Sequence, residues 1–325
     1  MRVQLAATGE MTRLWLPLAL ASEPHYQKVM KQTWTGNART LWAIRDEIPG
    51  AAILFAEWPE GDAAPSVDLT LHVATRDRTV DWTSRDPSTA LRTRARPAVD
   101  DVPRRYLAPT RLIPLDGIVG ETARRITRNE SDGVAKARAI YEWIVEHTER
   151  DPAVAGCGIG DVRGMLQSGN LRGKCADLNA LFVGLARASG VPARDVYGLR
   201  VAPSRAFASL SASGDVTRAQ HCRAEFHSPR HGWVPVDPAD VRKVILEEKP
   251  GLTLASREVQ YARRQLFGSW ESNWIAFNDA HDVRLPRAAA TPLPFLMYPH
   301  AEVGGRRLDN LDPSRFAYRI TAREL

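Results

Sequence analysis

The chain has 325 residues, 44% of them hydrophobic and 25% charged, with a formal net charge of +6. That apolar share over that length supports buried cores in about two domains and excludes a chain disordered from end to end. Three cysteines, Cys157, Cys175 and Cys222, are too few for a disulfide scaffold, and no CxxC pair or His/Cys ligand spacing points to zinc. The positive charge is mostly arginine interleaved with acids, without a basic run or a recognition-helix pattern, so no nucleic-acid partner is expected. No stretch approaches the ~20 apolar residues that cross a bilayer.

In residues 1–82, the stretches TLWAIRDEI, AAILFAEW and SVDLTLHVATR are rich in β-branched and aromatic residues and are separated by the turn signals GN, PG and EGDAAP. This predicts an N-terminal antiparallel β-sandwich. The run LWLPLALAS (14–22) has the length of a signal-peptide core, but Pro17 interrupts it and Glu10 precedes it in place of a basic region, so it is read as a strand. The chain as given reads as cytoplasmic, and as periplasmic or secreted if an export signal was removed upstream. Residues 83–114 carry Pro87, Pro97, Pro103, Pro109 and Pro114 with many arginines and little periodicity, and are expected to form a linker.

Residues 115–325 read as a second domain with a β-rich C-terminal extension. Ile118, Ala123 and Ile126, then Val134, Ala137, Ile140, Tyr141, Ile144 and Val145, recur at helical spacing, with Ser131 expected to cap the second helix. GCGIGDVRGMLQSG (156–169) predicts a glycine-bounded loop with one short helix, and it lacks the GxxxxGK[ST] of a phosphate-binding loop. In RGKCADLNALFVGLAR (172–187), Leu178, Leu181, Phe182 and Leu185 form one apolar face of a helix that begins at Cys175, and Gly190 and Pro192 stop it. A strand over 193–202 follows. CRAEFH and GWVPVD then read as a hairpin around the turn SPRHG, and NWIAFNDAHDV and FAYRITAREL as further strands.

A thiol at the first position of a helix meets unpaired backbone N–H groups and the positive end of the dipole, which favour the thiolate. The hairpin offers a base. A turn centred on Pro229 sets His221 across from Asp237, with Cβ atoms about 5 Å apart. Alternation supports a shared face: Cys222, Ala224, Phe226, Val234 and Val236 make the apolar side, leaving His221, Arg223, Glu225, Trp233 and Asp237 on the other. Cys157, in a tight glycine loop, and Cys222, facing the core, are read as inert. His281, between Asp279 and Asp282, is a rival base or metal ligand read as a surface turn, and His227 and His231 are read as solvated.

The sequence GKCADLNALFVGLARASGVPAR, followed by an H-x-x-x-E-F strand and GWVPVDP, resembles the transglutaminase-like superfamily of papain-related cysteine enzymes, most closely its bacterial branch, over roughly residues 115–245. The resemblance implies an α+β fold in which a helix bearing the nucleophile packs on an antiparallel sheet. It makes Cys175 the nucleophile, His221 the base and Asp237 the group that orients the imidazole. The implied activity is cleavage or transfer at amide bonds of a peptide or protein through a thioester acyl-enzyme. With no calcium-loop pattern of the DxDxDG kind and no zinc spacing in the sequence, no metal or organic cofactor is expected. Gln167 and the Cys175 backbone N–H are candidates for an oxyanion hole, and Asp177 is a first-turn carboxylate or a group that steers a substrate amide. Relatives often carry a small residue and then Trp after the histidine, where this chain has Cys222 and Arg223. A guanidinium facing the site is expected to keep its mouth wet and repel a lysine ammonium, which favours hydrolysis. Cross-linking by γ-glutamyl transfer and a non-catalytic binding module are the alternatives.

Overall fold

The computed structural model describes residues 1–21, 26–62, 64–83 and 104–325. Most of the expected linker, including Pro87, Pro97 and Pro103, falls outside the described residues. The first part of the chain forms β1 (Arg2–Gln4), β2 (Thr12–Pro17), β3 (Gln27–Gly36), β4 (Thr40–Ile48), β5 (Ala51–Trp58), β6 (Ser66–Thr75) and β7 (Arg78–Thr79). The middle forms α1 (Gly117–Thr127), α2 (Gly133–His147), β8 (Glu149–Arg150), α3 (Val162–Ser168), β9 (Arg172–Gly173), α4 (Cys175–Ala188), β10 (Ala193–Arg200), β11 (Gly214–Asp215), β12 (Gln220–Ser228) and β13 (Gly232–Val236). After these come α5 (Pro238–Glu247), α6 (Arg257–Gln265), β14 (Ser269–Trp270), β15 (Trp274–Asn278), β16 (His281–Val283), β17 (Leu293–Phe295), β18 (His300–Val303), β19 (Arg306–Arg307), β20 (Tyr318–Arg319) and β21 (Thr321–Ala322).

Two antiparallel sheets, ordered β20-β1-β6-β3 and β19-β18-β2-β5-β4, pack face to face. Val3, Val67 and Leu69 of one sheet meet Leu14, Leu16 and Leu54 of the other, with Phe316 closing the core. The run that could pass for a signal-peptide core supplies β2, where Leu14, Trp15 and Leu16 are buried. The sandwich is not built from the N-terminal strands alone. β18 pairs with β2, His300 opposite Trp15, and β20 pairs with β1, so strands of the C-terminal tail complete both sheets. Alternation marks such segments as strands but carries no sign of the sheet they join.

A third sheet, ordered β13-β12-β10-β15, carries α4 on one face. The expectation of a single buried face on α4 is exceeded, since every residue from Cys175 to Arg187 is buried. The helix lies between β10 and β12 on one side and α1, α2 and α5 on the other, so no flank meets solvent. The cap of α2 is Asp132 rather than Ser131. The Asp132 carboxylate accepts from the N–H groups of Val134 at 2.9 Å and Ala135 at 3.0 Å, a geometry that belongs to the residue just before the helix. Helices α5 and α6 occupy a stretch for which the sequence reading named no helix.

The sandwich is fastened to the third sheet through polar groups. Gln27 donates to the carbonyls of Leu20 at 2.7 Å and Ala276 at 2.9 Å and accepts from the Ala276 N–H at 2.8 Å, while the Tyr26 hydroxyl donates to the Trp274 carbonyl. Trp274 in turn donates its indole N–H to the His221 carbonyl at 2.8 Å. That contact depends on Gly198, which stands opposite His221 in the β10/β12 ladder. A Cβ at this position would lie 2.1 Å from the Ile275 carbonyl oxygen and 2.5 Å from the Trp274 ring. Gly198→Ala is therefore expected to destabilise the protein by about 1–3 kcal/mol, the range for overpacking a tight core. The measurement is the denaturant midpoint at constant m-value. Gly133→Ala, whose Cβ would meet only Val191 at 3.8 Å, is the control, expected to be neutral or to stabilise by up to about 1 kcal/mol.

Candidate active site

Cys175 is the first residue of α4, and the loop before it is shaped by glycines. Asp177 organises that loop. Its Oδ1 accepts from the N–H groups of Ile159 and Gly160, both at 3.0 Å, and its Oδ2 accepts from the Lys174 N–H at 3.0 Å. Burial raises the Asp177 pKa against these bonds. A Cβ at Gly158 would sit 1.9 Å from Asp177 Oδ2, and Gly158 has φ +88°, so only glycine fits there. Both oxygens of the carboxylate are thus taken up by backbone N–H groups. The Ala176 N–H is bonded to the Cys157 carbonyl at 2.9 Å, while the Cys175 N–H belongs to the first turn, where a helix supplies no acceptor.

The hairpin register differs from the expected one by two positions. Ala224 lies opposite Val236 and Phe226 opposite Val234, so the turn centres on Arg230 rather than Pro229. A shift of two preserves the faces, and Cys222, Ala224 and Phe226 are buried in the α4 core as expected. Asp237, however, has left the strand and caps α5, with Pro238 at the first helical position. His221 reaches it diagonally: Nε2 lies 2.7 Å from Asp237 Oδ2. The other carboxylate oxygen accepts from the Asp240 N–H at 3.1 Å and the Asn179 side-chain amide at 3.3 Å. Asp240 stands 3.5 Å from the same His221 nitrogen and takes both its oxygens to Arg200 Nη2 at 2.5 Å.

These buried charges set the protonation states. Burial and the Arg200 guanidinium push the His221 pKa down, and the Asp240 and Asp237 carboxylates more than offset them, so the imidazole is held above its ordinary value. Burial disfavours the Asp240 anion too, but Arg200 and His221 hold its carboxyl well below the usual range. Burial and the Asp240 charge raise Asp237. The Cys175 thiol is held well below its ordinary pKa, first by hydrogen-bonding contacts with the Cys157 and Cys222 thiols and then, against burial, by His221. Contact with Cys175, together with burial, raises both neighbouring thiols. His221, Asp237 and Asp240 place three potential metal-ligand atoms within 4.8 Å of one another. Their charges are already compensated by Arg200 and by one another, which fits an ion-pair network better than a metal centre.

Other expected members of the site stand elsewhere. Arg223 shares the face of His221 but is buried: it donates to the Glu271 carbonyl at 3.2 Å and Asn273 Oδ1 at 3.3 Å, with its guanidinium 4.9 Å from the Trp274 ring centroid. It contributes charge behind Asp237, its Nε 3.9 Å from Oδ2, rather than a wet mouth. Gln167 is exposed on α3 and makes none of the hydrogen bonds of the Cys175–His221–Asp237 cluster. His281 is not a surface turn. It packs on Tyr197, lies 3.3 Å from Asp195, and lines a separate cavity of about 360 Å³ with Arg105, Tyr106 and Arg187. His227 is buried against Trp233 rather than solvated.

Sequence reasoning missed Asn179, Arg200, Asp240 and Trp274, and it did not bring Cys157 and Cys222 to Cys175. Asp240 had a local signal, since DPAD places a cap, a proline at the first helical position and an acid in the first turn. The rest meet only across the sheet.

Residues 120–238 match the transglutaminase-like superfamily core. An uncharacterised protein of Haemophilus influenzae is 38% identical over 332 residues, covering 97% of this chain and 86% of the relative. A crystal structure from Cytophaga hutchinsonii, provisionally designated a cysteine protease, superposes with a TM-score of 0.52 at 17% identity, over 91% of each chain. With the matching core spanning α4, β12 and the start of α5, the chain belongs to the transglutaminase-like superfamily.

Proposed function

We propose that this protein is a cysteine-dependent hydrolase of amide bonds in a peptide or protein, working through a thioester on Cys175. The observation that carries the reading is the 2.7 Å contact between His221 Nε2 and Asp237, made beside a thiol whose pKa is depressed. With Nε2–H donated to the carboxylate, Nδ1 is the nitrogen left to exchange a proton with Cys175. The thiolate attacks the amide carbonyl carbon, and the oxyanion that forms is met by the Cys175 N–H at the start of α4. The imidazolium gives its proton to the leaving amine. The neutral imidazole then takes a proton from water, which attacks the thioester, and collapse releases the acid and restores the thiolate–imidazolium pair.

Cys175 and His221 are only 4% and 5% exposed, so the pair works in a low dielectric where the Asp237 and Asp240 charges act strongly. Arg223 is buried and so does not wet the mouth of the site. Hydrolysis is retained because it needs no built site for a second substrate, whereas transfer requires a channel that holds an amine and excludes water. The designation of the Cytophaga hutchinsonii protein agrees with this class of chemistry.

Limiting iodoacetamide should label Cys175 first. Its rate should plateau below about pH 8.5, the ordinary thiol value, while Cys157 and Cys222 stay slow. Peptide mapping reads the order, and faster labelling of either neighbour at neutral pH contradicts the assignment. Turnover should rise with pH as the Cys175 thiol loses its proton below that value. It should fall again above about 6.5, as pH passes through the raised pKa of His221 and the imidazolium is lost.

His221→Ala should lower kcat by on the order of 10²-fold or more. Asp237→Asn should impair kcat while keeping the thermal transition, because Asn still caps α5. His281→Ala, away from the thiol, should be mild. Wild-type kinetics for His221→Ala together with inactivation by His281→Ala would overturn the assignment. The acceptor is tested by offering peptide and glutamine substrates with a dansylated primary amine, and efficient incorporation of the amine in competition with water would replace hydrolysis with transfer.

A further inference from the structure

A thioester mechanism needs one thiol, yet all three cysteines of the chain meet at the start of α4, each free and buried. Cys222 is fixed in the middle of β12, opposite Tyr197 in the β10 ladder. Cys157 lies instead in the glycine loop, where its thiol helps to lower the Cys175 pKa, a part that a hydroxyl donor could also fill. Gly156 and Gly158, with φ of +55° and +88°, bracket it in left-handed backbone. The loop thereby turns the Cys157 thiol inward, where its sulfur lies 3.2 Å from the Gln220 carbonyl, one residue before His221. Its own carbonyl holds the Ala176 N–H at 2.9 Å, which fixes the loop against the first turn of α4. Two thiols thus lie beside the start of α4 in the same core as Cys175, and only one of them is carried by a loop rather than a strand.

We propose that Cys157 is a resolving thiol: a hydroperoxide oxidises Cys175, and Cys157 converts the product into an intramolecular Cys157–Cys175 disulfide that reversibly protects the nucleophile. The inference rests on Cys175 being the thiolate of the proposed function, but not on amide turnover. In the first step the Cys175 sulfur bonds to one peroxide oxygen and the O–O bond breaks. The other oxygen leaves as hydroxide or alkoxide, which is protonated to water or an alcohol, and Cys175 becomes a sulfenic acid. In the second step the Cys157 sulfur attacks the sulfenic sulfur, the S–O bond breaks, and the hydroxyl leaves as water with the Cys157 proton. Sulfenylation also removes the Cys175 anion, whose contact most raises the Cys157 pKa, so the resolving thiol ionises more readily once it is needed. Without a resolving thiol the sulfenic acid is open to a second oxidation, to sulfinic acid, which thiol reductants do not reverse.

The test treats the folded full-length protein with substoichiometric hydrogen peroxide, blocks free thiols under denaturing conditions and maps peptides without reduction. The expected main oxidised species is a peptide linking Cys157 to Cys175, and dithiothreitol should restore iodoacetamide labelling of Cys175. In Cys157→Ser the linked peptide should be missing, and most of the recoverable labelling should be lost to sulfinic acid. Cys222→Ser should keep both the link and the recovery. Cys175 sulfinic acid with Cys157 free in the parent chain, a Cys175–Cys222 or inter-chain link as the main product, or full recovery in Cys157→Ser would overturn the proposal. A linked peptide in a protein that turns over no amide would refute the hydrolase reading alone. Amide turnover with unlinked Cys175 sulfinic acid would refute the resolving thiol alone.

Discussion

A buried imidazole beside buried carboxylates is costly unless every charge has a partner, and Asp237 is where that requirement is met in this fold. One of its oxygens holds His221, and the other closes the start of α5 and takes the amide of Asn179 from α4. Three elements, β12, α4 and α5, are thus tied to a single carboxylate. Asp240 adds a second negative charge on the same side and is neutralised by Arg200 reaching across from β10. Moving any of these elements would strand an unpaired charge in the core, so the geometry of the cluster is enforced by the penalty for breaking it.

The rest of the molecule supports that arrangement from behind. The indole of Trp274 holds the His221 backbone from β15, Gly198 leaves it room, and Arg223 stacks on Trp270 and Trp274 beneath Asp237. Trp274 is itself held by Tyr26 at the edge of the sandwich. The N-terminal sheets therefore brace the strand that fixes the imidazole. A second brace runs through the buried Glu225, which Arg194 binds from β10 and the partly buried Arg78 binds from β7, the short strand that follows β6 of the sandwich.

At the thiol end the controlling contacts are to backbone. Asp177 binds three N–H groups and shapes the glycine loop, and the loop returns a carbonyl to Ala176 and a thiol to the neighbourhood of Cys175. The glycines are there because the chain must pass within contact distance of a carboxylate and of the helix start, where a Cβ would collide. A helix N-terminus, two S–H groups and an imidazole all favour the same anion, which is how a sulfur buried in an apolar core can be ionised.

Local pattern alone marks the helix and the strand that carry the thiol and the imidazole. A glycine-lysine turn followed by apolar residues at i, i+3, i+4 and i+7 starts a helix at Cys175, and strict alternation assigns His221 and Asp237 to one face of the hairpin and Cys222 to the other. Packing across the molecule set the register, since a two-residue shift leaves every face unchanged and alternation cannot detect it. It also decided that Arg223 is enclosed by tryptophans, that Gln167 stays outside, that three cysteines far apart in the chain share one site, and that the last strands complete the first sheets. Each of these depends on contacts between residues distant in sequence, which leave no periodic mark in the chain because they are set by how whole elements pack and by which buried charges must be paired.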